Sequence, residues 1–522
     1  MTTSTKGTRV QLDAQDHEQI AVEIQHSSVA ATTACIHDVE LYLFIPRNVG
    51  LTSANYPSSE FYNDLTTYLR LDLPEIELDD LRTLIRSPLR TIEDDLARLA
   101  NGLGTADPIA TAVKLFGHEF TEAVRRERKR LRHKIRAGAR REGDAQIEGD
   151  VTVGAGWRSK LLADVTELAV TARSALKRLR ETKRRFSPFR RVAPEAWEVF
   201  QRTDEYASLF LDGALAGTAL EIEAHPVLFD GSGWTAHVLQ VLSACATDEA
   251  AYRHAQGFVN LDGGSETHRE YFLYRRSLLK KAVQQALWVE TRRRPADNYV
   301  RNAAGMVAAS LAATWAVIAQ LPTRMSALSS STQTLMFALP VVAYVAKDRI
   351  KELTKEWLIR RMRAFDQETE LVGSHLEKFG LGRLRGRLRE RVRFINEAPD
   401  DVAAARRRSR WIAGAHVGGE SILLYRRQLE LAPAPKGTPT DDTSFRQIIR
   451  LSLRHFMTRL DDRDQAVHHY SPTAGTFARH SLAKVYHLNV VARVSTPGGE
   501  PMLKRWRVVF SRAGIERIEA PE

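Results

Sequence analysis

Apolar residues recur along this chain with three different spacings, and the changes of spacing mark the predicted elements. From Asn302 to Ala346 the only charge is Arg324, which leaves two uncharged stretches, 302–323 and 325–346. Each has about 22 residues, enough as a helix to cross a hydrocarbon core of about 30 Å. This pattern predicts a two-helix transmembrane hairpin with spans at 302–322 and 325–346, and Pro340 is expected to kink the second span.

Near the N-terminus the period is two. QIAVEIQHSS and HDVELYLFIPR read as strands, with Val39, Leu41 and Leu43 alternating against Glu40, Tyr42 and Phe44. SSEFYNDLTTYLRL, ELDDLRTLI and PLRTIEDDLARLA follow as helices with acidic first turns. Long helical patterns then run over 110–141 and 158–185, separated by the glycine-bearing break EGDAQIEGDVTVGAG. In the second, Leu161, Val165, Leu168, Ala172, Ala175, Leu176 and Leu179 fall on one side at the helical period. Further helices are predicted over 194–221, 235–256 and 266–293, the last as an amphipathic approach to the membrane.

Beyond the hairpin, KDRIKELTKEWLIRRMRAF continues as a basic helical stalk and the helical character is expected to last to about Arg410. GESILLYRRQLEL reads as a strand, and TSFRQIIRLSLRHFMTRL as a helix with Phe445, Ile448, Ile449, Leu453, Phe456 and Leu460 on one side. At the C-terminus Tyr486, Leu488, Val490, Ala492 and Val494 alternate, TPGGEP turns, and Trp506, Val508 and Phe510 alternate back. The expected fold class is thus a multi-domain integral membrane protein with cytosolic α/β (α+β) modules, a long-helix region and the transmembrane hairpin. Its segments are an N-terminal α/β module at 1–107, a helical region at 108–300, the hairpin at 301–346, the stalk and helices at 347–410, and a C-terminal α/β module at 411–522 that ends in a β-hairpin.

Charge orients this arrangement. Arg292, Arg293, Arg294 and Arg301 precede the first span and Lys347, Arg349 and Lys351 follow the second, whereas the connecting turn holds only Arg324. The positive-inside rule then places both termini in the cytoplasm of an inner-membrane protein, with those seven residues against the anionic inner leaflet. The chain carries 76 Lys plus Arg against 64 Asp plus Glu, a net charge of +12, which favours an anionic partner. Nucleic acid is not favoured, because stacking aromatics are not interleaved with the arginine runs VRRERKRLRHKIRAGARR and ALKRLRETKRRFSPFRR, Phe186 and Phe189 excepted. Only Cys35 and Cys245 are present, which excludes a disulfide framework and points to a reducing compartment; the N-terminus lacks the apolar core of a signal peptide.

Candidate chemistry is sparse. There is no phosphate loop and no nucleophile elbow, and GLGRLRG at Gly380 misses the dinucleotide-binding spacing. His118-Glu119 begins like a zincin helix, but Glu122 stands where the second histidine belongs, and His37-Asp38 lacks helical metal-binding partners. The richest local set is Asp461, Asp462, Asp464, His468 and His469, whose carboxylates and imidazoles suit a divalent metal for hydrolysis without matching a known spacing. Gly305, Ala309 and Ala313 recur every four residues and offer a close-packing face for helix association. No cofactor is implied. The leading expectation is a non-enzymatic sensor or effector whose cytosolic modules bind an intracellular ligand or partner and act through an oligomerising hairpin. A membrane-tethered metal-dependent hydrolase and an inner-leaflet scaffold are the alternatives.

Overall fold

The computed structural model describes residues 8–26, 34–73, 75–83, 87–148, 155–228, 233–261, 264–294, 297–325, 342, 345–356, 365–371, 385–407, 419–433, 444–473, 475–497 and 499–520. The chain divides into a β-rich unit built from both ends of the sequence (1–70, 289–374 and 382–522) and a helical unit (71–288 with 375–381).

In the β-rich unit the first strands are β1 (Arg9–Ala14), β2 (Gln19–His26) and β3 (Cys35–Pro46), then α1 (Ser58–Asp64) and β4 (Leu65–Asp72). After the helical unit come β5 (Thr291–Arg294), β6 (Gln367–Leu371), β7 (Gly386–Ile395), β8 (Glu420–Leu431) and β9 (Ser444–Ser452). The last five are β10 (Asp464–Ser471), β11 (Thr476–Ala483), β12 (Tyr486–Ser495), β13 (Met502–Ser511) and β14 (Gly514–Glu519). A four-stranded sheet has the order β1-β2-β9-β4, and an eight-stranded sheet the order β14-β13-β12-β3-β8-β7-β6-β5. Their inner faces share one core, in which Ile20, Val22 and Ile449 of the smaller sheet meet Leu41, Leu43, Tyr425 and Val490 of the larger. This is a β-sandwich, in which strands with period two each send alternate residues into a common interior.

N- and C-terminal segments are therefore one body rather than two modules: β2 pairs along its whole length with β9, and β3 lies between β8 and β12. On the outer face of the larger sheet, Tyr42, Phe44, Leu424 and Val491 are covered by Val402 and its neighbours from a short helix, Asp400–Arg407. Several segments with helical spacing are strands. Leu65–Asp72 is β4, RLRERVRFI lies in β7, and SFRQIIRLS is β9, followed by a single helical turn at Arg454–Met457. In each case strand pairing, unavailable to a local pattern, wins over local period.

The helical unit contains α2 (Leu78–Thr83), α3 (Pro88–Ala100), α4 (Asp107–Glu148), α5 (Ala155–Phe186), α6 (Pro194–Glu223), α7 (Trp234–Ala255) and α8 (Glu266–Gln284). Pro88 opens α3 behind Ser87, whose hydroxyl accepts from Leu89 N at 3.2 Å. One core joins Phe116, Phe120, Leu131 and Ile135 of α4 to Val165, Leu168, Ala172 and Leu176 of α5, Phe200, Leu211 and Leu215 of α6, and Val238 and Leu242 of α7. Gly138 lets α4 take the Trp157 ring against its backbone, since a Cβ there would collide with the indole.

The membrane reading is overturned. The first proposed span lies within a helix, α9 (Asp297–Met325), but no helix among the described residues is long and apolar enough to cross a membrane. The reason is composition. Alanine, which gains little on transfer to hydrocarbon, fills much of 303–319, and Asn302, Ser310, Thr314 and Gln320 dilute it further. The second span, 325–346, falls almost wholly outside the described residues. The integral-membrane fold class, the two-helix transmembrane hairpin and an inner-membrane location with cytosolic termini are thus not supported, and the flanking charges have no span to orient. Arg292, Arg293 and Arg294 instead lie in β5, an edge strand paired with β6 in the register Arg292↔Glu370 and Arg294↔Glu368. The helix before it, α8, ends at Gln284 rather than running to a membrane surface.

Candidate functional site: a basic groove on the helical unit

Three helices of the helical unit carry charged residues at positions that their apolar stripes would otherwise fill. On α6, Asp204 lies between the buried Phe200 and Ala207; on α7, Glu249 lies one turn beyond the buried Cys245; on α5, Arg180 and Lys183 continue past Leu176 and Leu179. Burying such groups is costly unless each is paired and hydrogen-bonded.

Here the pairing is complete. Arg180 Nη1 and Nη2 donate to the two oxygens of Glu249 at 3.0 and 2.7 Å, and its Nε donates to Asp204 Oδ1 at 3.0 Å. Lys183 Nζ and the Tyr252 hydroxyl both donate to Asp204 Oδ2, at 2.7 and 2.6 Å, and Ser208 Oγ donates to Glu249 Oε2 at 2.7 Å. The Arg180 guanidinium also stands 3.5 Å from the centroid of the Tyr252 ring, within cation–π range. Arg253 extends the network to Asp212, 3.2 Å away. Burial by itself would lower the pKa of Arg180, but its bonds to Glu249 and Asp204 outweigh that and raise it. Burial first, then the neighbouring Asp204 carboxylate, raises that of Tyr252. Both groups hold their protons throughout the physiological range.

This network is the floor of a groove of about 790 Å³ between α5, α6 and α7, a size suited to a small ligand. Five basic side chains line it, Arg173, Lys177, Arg180, Lys183 and Arg184, against two acidic ones, Asp248 and Glu249. Arg173 is paired with Asp248 at 2.7 Å. Lys177 and Arg184 are exposed at the mouth and have no acidic partner among the described residues. Trp197 supplies a half-buried aromatic wall beside Lys183. No histidine or cysteine is among the lining residues; the groove offers five cations, two carboxylates and the rings of Trp197 and Tyr252.

The residues singled out by sequence lie elsewhere. Asp461 is paired with Lys484 and accepts from the Tyr486 hydroxyl at 3.2 Å, and Asp462 is paired with Arg512 at 2.7 Å. Asp464, His468 and His469 stand on the exposed hairpin β10–β11, where the His469 ring lies tilted, 4.8 Å from that of His480. Among the described residues no three His, Cys, Asp or Glu side chains are grouped to hold a metal. On α9, Gly305 is half-buried and Ala309 and Ala313 are exposed, while the buried stripe is Ala304, Ala308 and Ala312. Arg292, Arg349 and Lys351 are exposed and Lys347 is half-buried; the side chains of Arg293, Arg294 and Arg301 lie outside the described residues. His118 and Glu119 are buried on α4, and desolvation pushes the Glu119 carboxyl up to about 8.

His37 belongs to a second polar set, inside the sandwich. It lies 4.6 Å from His26, ring to ring, and 3.8 Å from the Cys35 sulfur, while Asp38 faces outward to Arg426. Gln447 joins His26 Nε2 at 2.9 Å and accepts from Arg427 Nε at 3.0 Å; Arg427 also donates to Glu390 at 2.9 Å, and Tyr425 donates to the same oxygen.

Sequence reasoning missed Arg180, Lys183, Asp204 and Glu249. The available signal was Asp204, a carboxylate at a stripe position of an otherwise apolar helix face. No family model matches the chain, and no curated protein or solved structure matches it significantly.

Proposed function

We propose that this protein is a non-enzymatic ligand-binding protein, a sensor or effector, whose helical unit takes up a small multiply anionic molecule with a flat apolar part. A phosphorylated nucleoside fits that chemistry. The observation that carries the reading is the unequal pairing of the groove's cations. Arg180 and Lys183 are neutralised in the floor by Glu249 and Asp204, whereas Lys177 and Arg184 at the mouth lack such partners among the described residues. The rigid floor fixes the shape, the mouth supplies charge, and Trp197 supplies a stacking face.

Isothermal titration of the full chain with inorganic phosphate and with nucleoside mono-, di- and triphosphates tests this. Saturable binding that strengthens with ligand charge is expected, weakened about tenfold or more by Lys177→Glu with Arg184→Glu, a loss of about 1.4 kcal/mol. Trp197→Ala should weaken the ring-bearing ligands and leave inorganic phosphate unchanged. Absence of saturable heat across the series, or indifference to both sets of substitutions, overturns the reading.

A further inference from the structure

Arg128, Arg132, Arg136 and Arg140 recur every four residues along α4, and all four are exposed. Each step rises about 6 Å along the helix, so the row extends for about 18 Å. Its side chains stand beside the buried ridge Leu131, Ile135 and Ala139, where α4 packs on α6. A trough of about 660 Å³ follows the seam, with Leu220 and Val227 among its apolar lining. Gly217 of α6 leaves a notch there for the Arg128 guanidinium, which a Cβ would displace.

The row carries little counter-charge for its length. Elsewhere on α4, Arg125 has Glu122, Arg130 has Glu127 at 2.5 Å and Lys134 has Asp164 at 2.6 Å. The four arginines of the row share a single carboxylate, Glu221 of α6, which takes Arg132 at 3.1 Å and Arg136 at 2.6 Å. His225 stands 3.8 Å from the same carboxylate. The hydrogen bond from Arg136 holds the Glu221 carboxyl below its usual range, so it stays ionised and saturated. Arg128 and Arg140, at the two ends, have no acidic partner among the described residues.

We propose that this row binds the phosphodiester backbone of a nucleic acid, one phosphate per arginine, without reading bases. Planar guanidinium forks suit phosphate oxygens, and a step of about 6 Å is close to the distance between successive phosphates along a strand. No phenylalanine, tyrosine or tryptophan lines the trough, and its one aromatic ring, His225, is held 3.8 Å from Glu221, so little there selects among bases. Affinity then comes from counterion release and depends steeply on salt. The site is separate from the α5–α7 groove, and the two readings stand or fall independently.

Fluorescence anisotropy of labelled oligo(dT), oligo(dA) and oligo(dC) with the full chain, from about 50 to about 200 mM salt, is the test. Binding should be similar for the three bases. Arg128→Gln with Arg140→Gln should weaken it about tenfold at low salt and reduce the slope of log Kd on log salt by about 1.4, two contacts at about 0.7 each. Glu221→Gln should tighten binding severalfold, a gain that misfolding cannot produce. An unchanged slope in the arginine double variant, weaker binding in Glu221→Gln, strong preference for one base, or linear polyphosphate binding better than every oligonucleotide would each overturn the proposal.

Discussion

The two units bury charge in opposite ways. In the helical unit Arg180, Lys183, Asp204 and Glu249 lie directly beneath an open groove, and the Arg180 side chain keeps 14% of its surface exposed. In the β-sandwich Arg427 and Glu390 are sealed, with side chains 1% and 7% exposed, and the void beside Tyr425 holds about 10 Å³, the lower limit for one water. A charged network next to solvent can exchange partners with water or a ligand. A sealed one ties together the strands that carry it, here β7, β8, β9 and β2. This contrast is why the proposed binding is assigned to the groove and not to the more deeply buried set.

The largest expected effect follows from that difference. Glu390→Gln leaves the Arg427 charge in the sandwich interior with no route to water, and is expected to cost about 3–5 kcal/mol of stability. Glu249→Gln removes one carboxylate charge from Arg180, which retains Asp204 and its partial exposure to the groove, and should cost only about 1–3 kcal/mol. Replacing both Arg427 and Glu390 by methionine should recover most of the sandwich loss, since neither charge is then stranded. Urea unfolding followed by pulse-labelled hydrogen exchange, with peptides from each unit, measures the losses separately. Equal costs for Glu390→Gln and Glu249→Gln would erase the distinction between sealed and open networks.

The same polar residues explain what the sequence made legible. Strands with clean alternation, such as Val39–Leu41–Leu43 in β3 and Tyr486–Leu488–Val490 in β12, announce themselves. In β7 the inward positions are Leu388, Glu390 and Val392, and in β9 they are Phe445, Gln447, Ile449 and Leu451. Glu390 and Gln447 break the period of two, and a helical spacing then fits the remaining apolar residues. The joining of the two chain ends into one sandwich has no local trace, because β2–β9 pairing spans more than four hundred residues. At the groove, Asp204 was detectable as a misplaced carboxylate, but its partners Arg180, Lys183 and Tyr252 come from helices whose register is fixed only by tertiary packing.

A second way to sharpen the comparison is pH. His26 and His37 are buried in the sandwich, and burial lowers them to about 3 and about 4 from an ordinary value of 6.5; His37 lowers His26 further. Their surroundings are Phe445 and Gln447 from β9 and Cys35 from β3, none of them a carboxylate. Below pH 6.5 the unfolded chain takes up two protons that the folded sandwich refuses, so stability is lost as pH falls from 6.5 toward 4. The slope is about 1.4 kcal/mol per pH unit for each histidine, or about 2.7 for the pair. His37→Phe should halve it over that window in peptides from the sandwich. An acid limb unaltered by the substitution would mean that other groups control it.

The smallest slope has the opposite sign and belongs to the helical unit. Glu119 on α4 is 3% exposed, and desolvation holds its carboxyl at about 8, offset in part by Arg126 and reinforced by Glu122. In the unfolded chain the same carboxyl ionises near 4.5. Between these values the folded unit keeps a proton that the unfolded chain releases, so stability falls as pH rises from 4.5 to 8, by about 1.4 kcal/mol per unit. Glu119→Gln keeps the shape and hydrogen-bonding capacity of the protonated acid while removing the titration. It should flatten this limb in helical peptides and leave the acid limb of the sandwich untouched. The wild-type chain is then expected to open first in its sandwich when acidified and first in its helical unit when made alkaline. If Glu119→Gln leaves the alkaline loss in place, the carboxyl is ionised in the folded unit and Arg126, rather than desolvation, governs it.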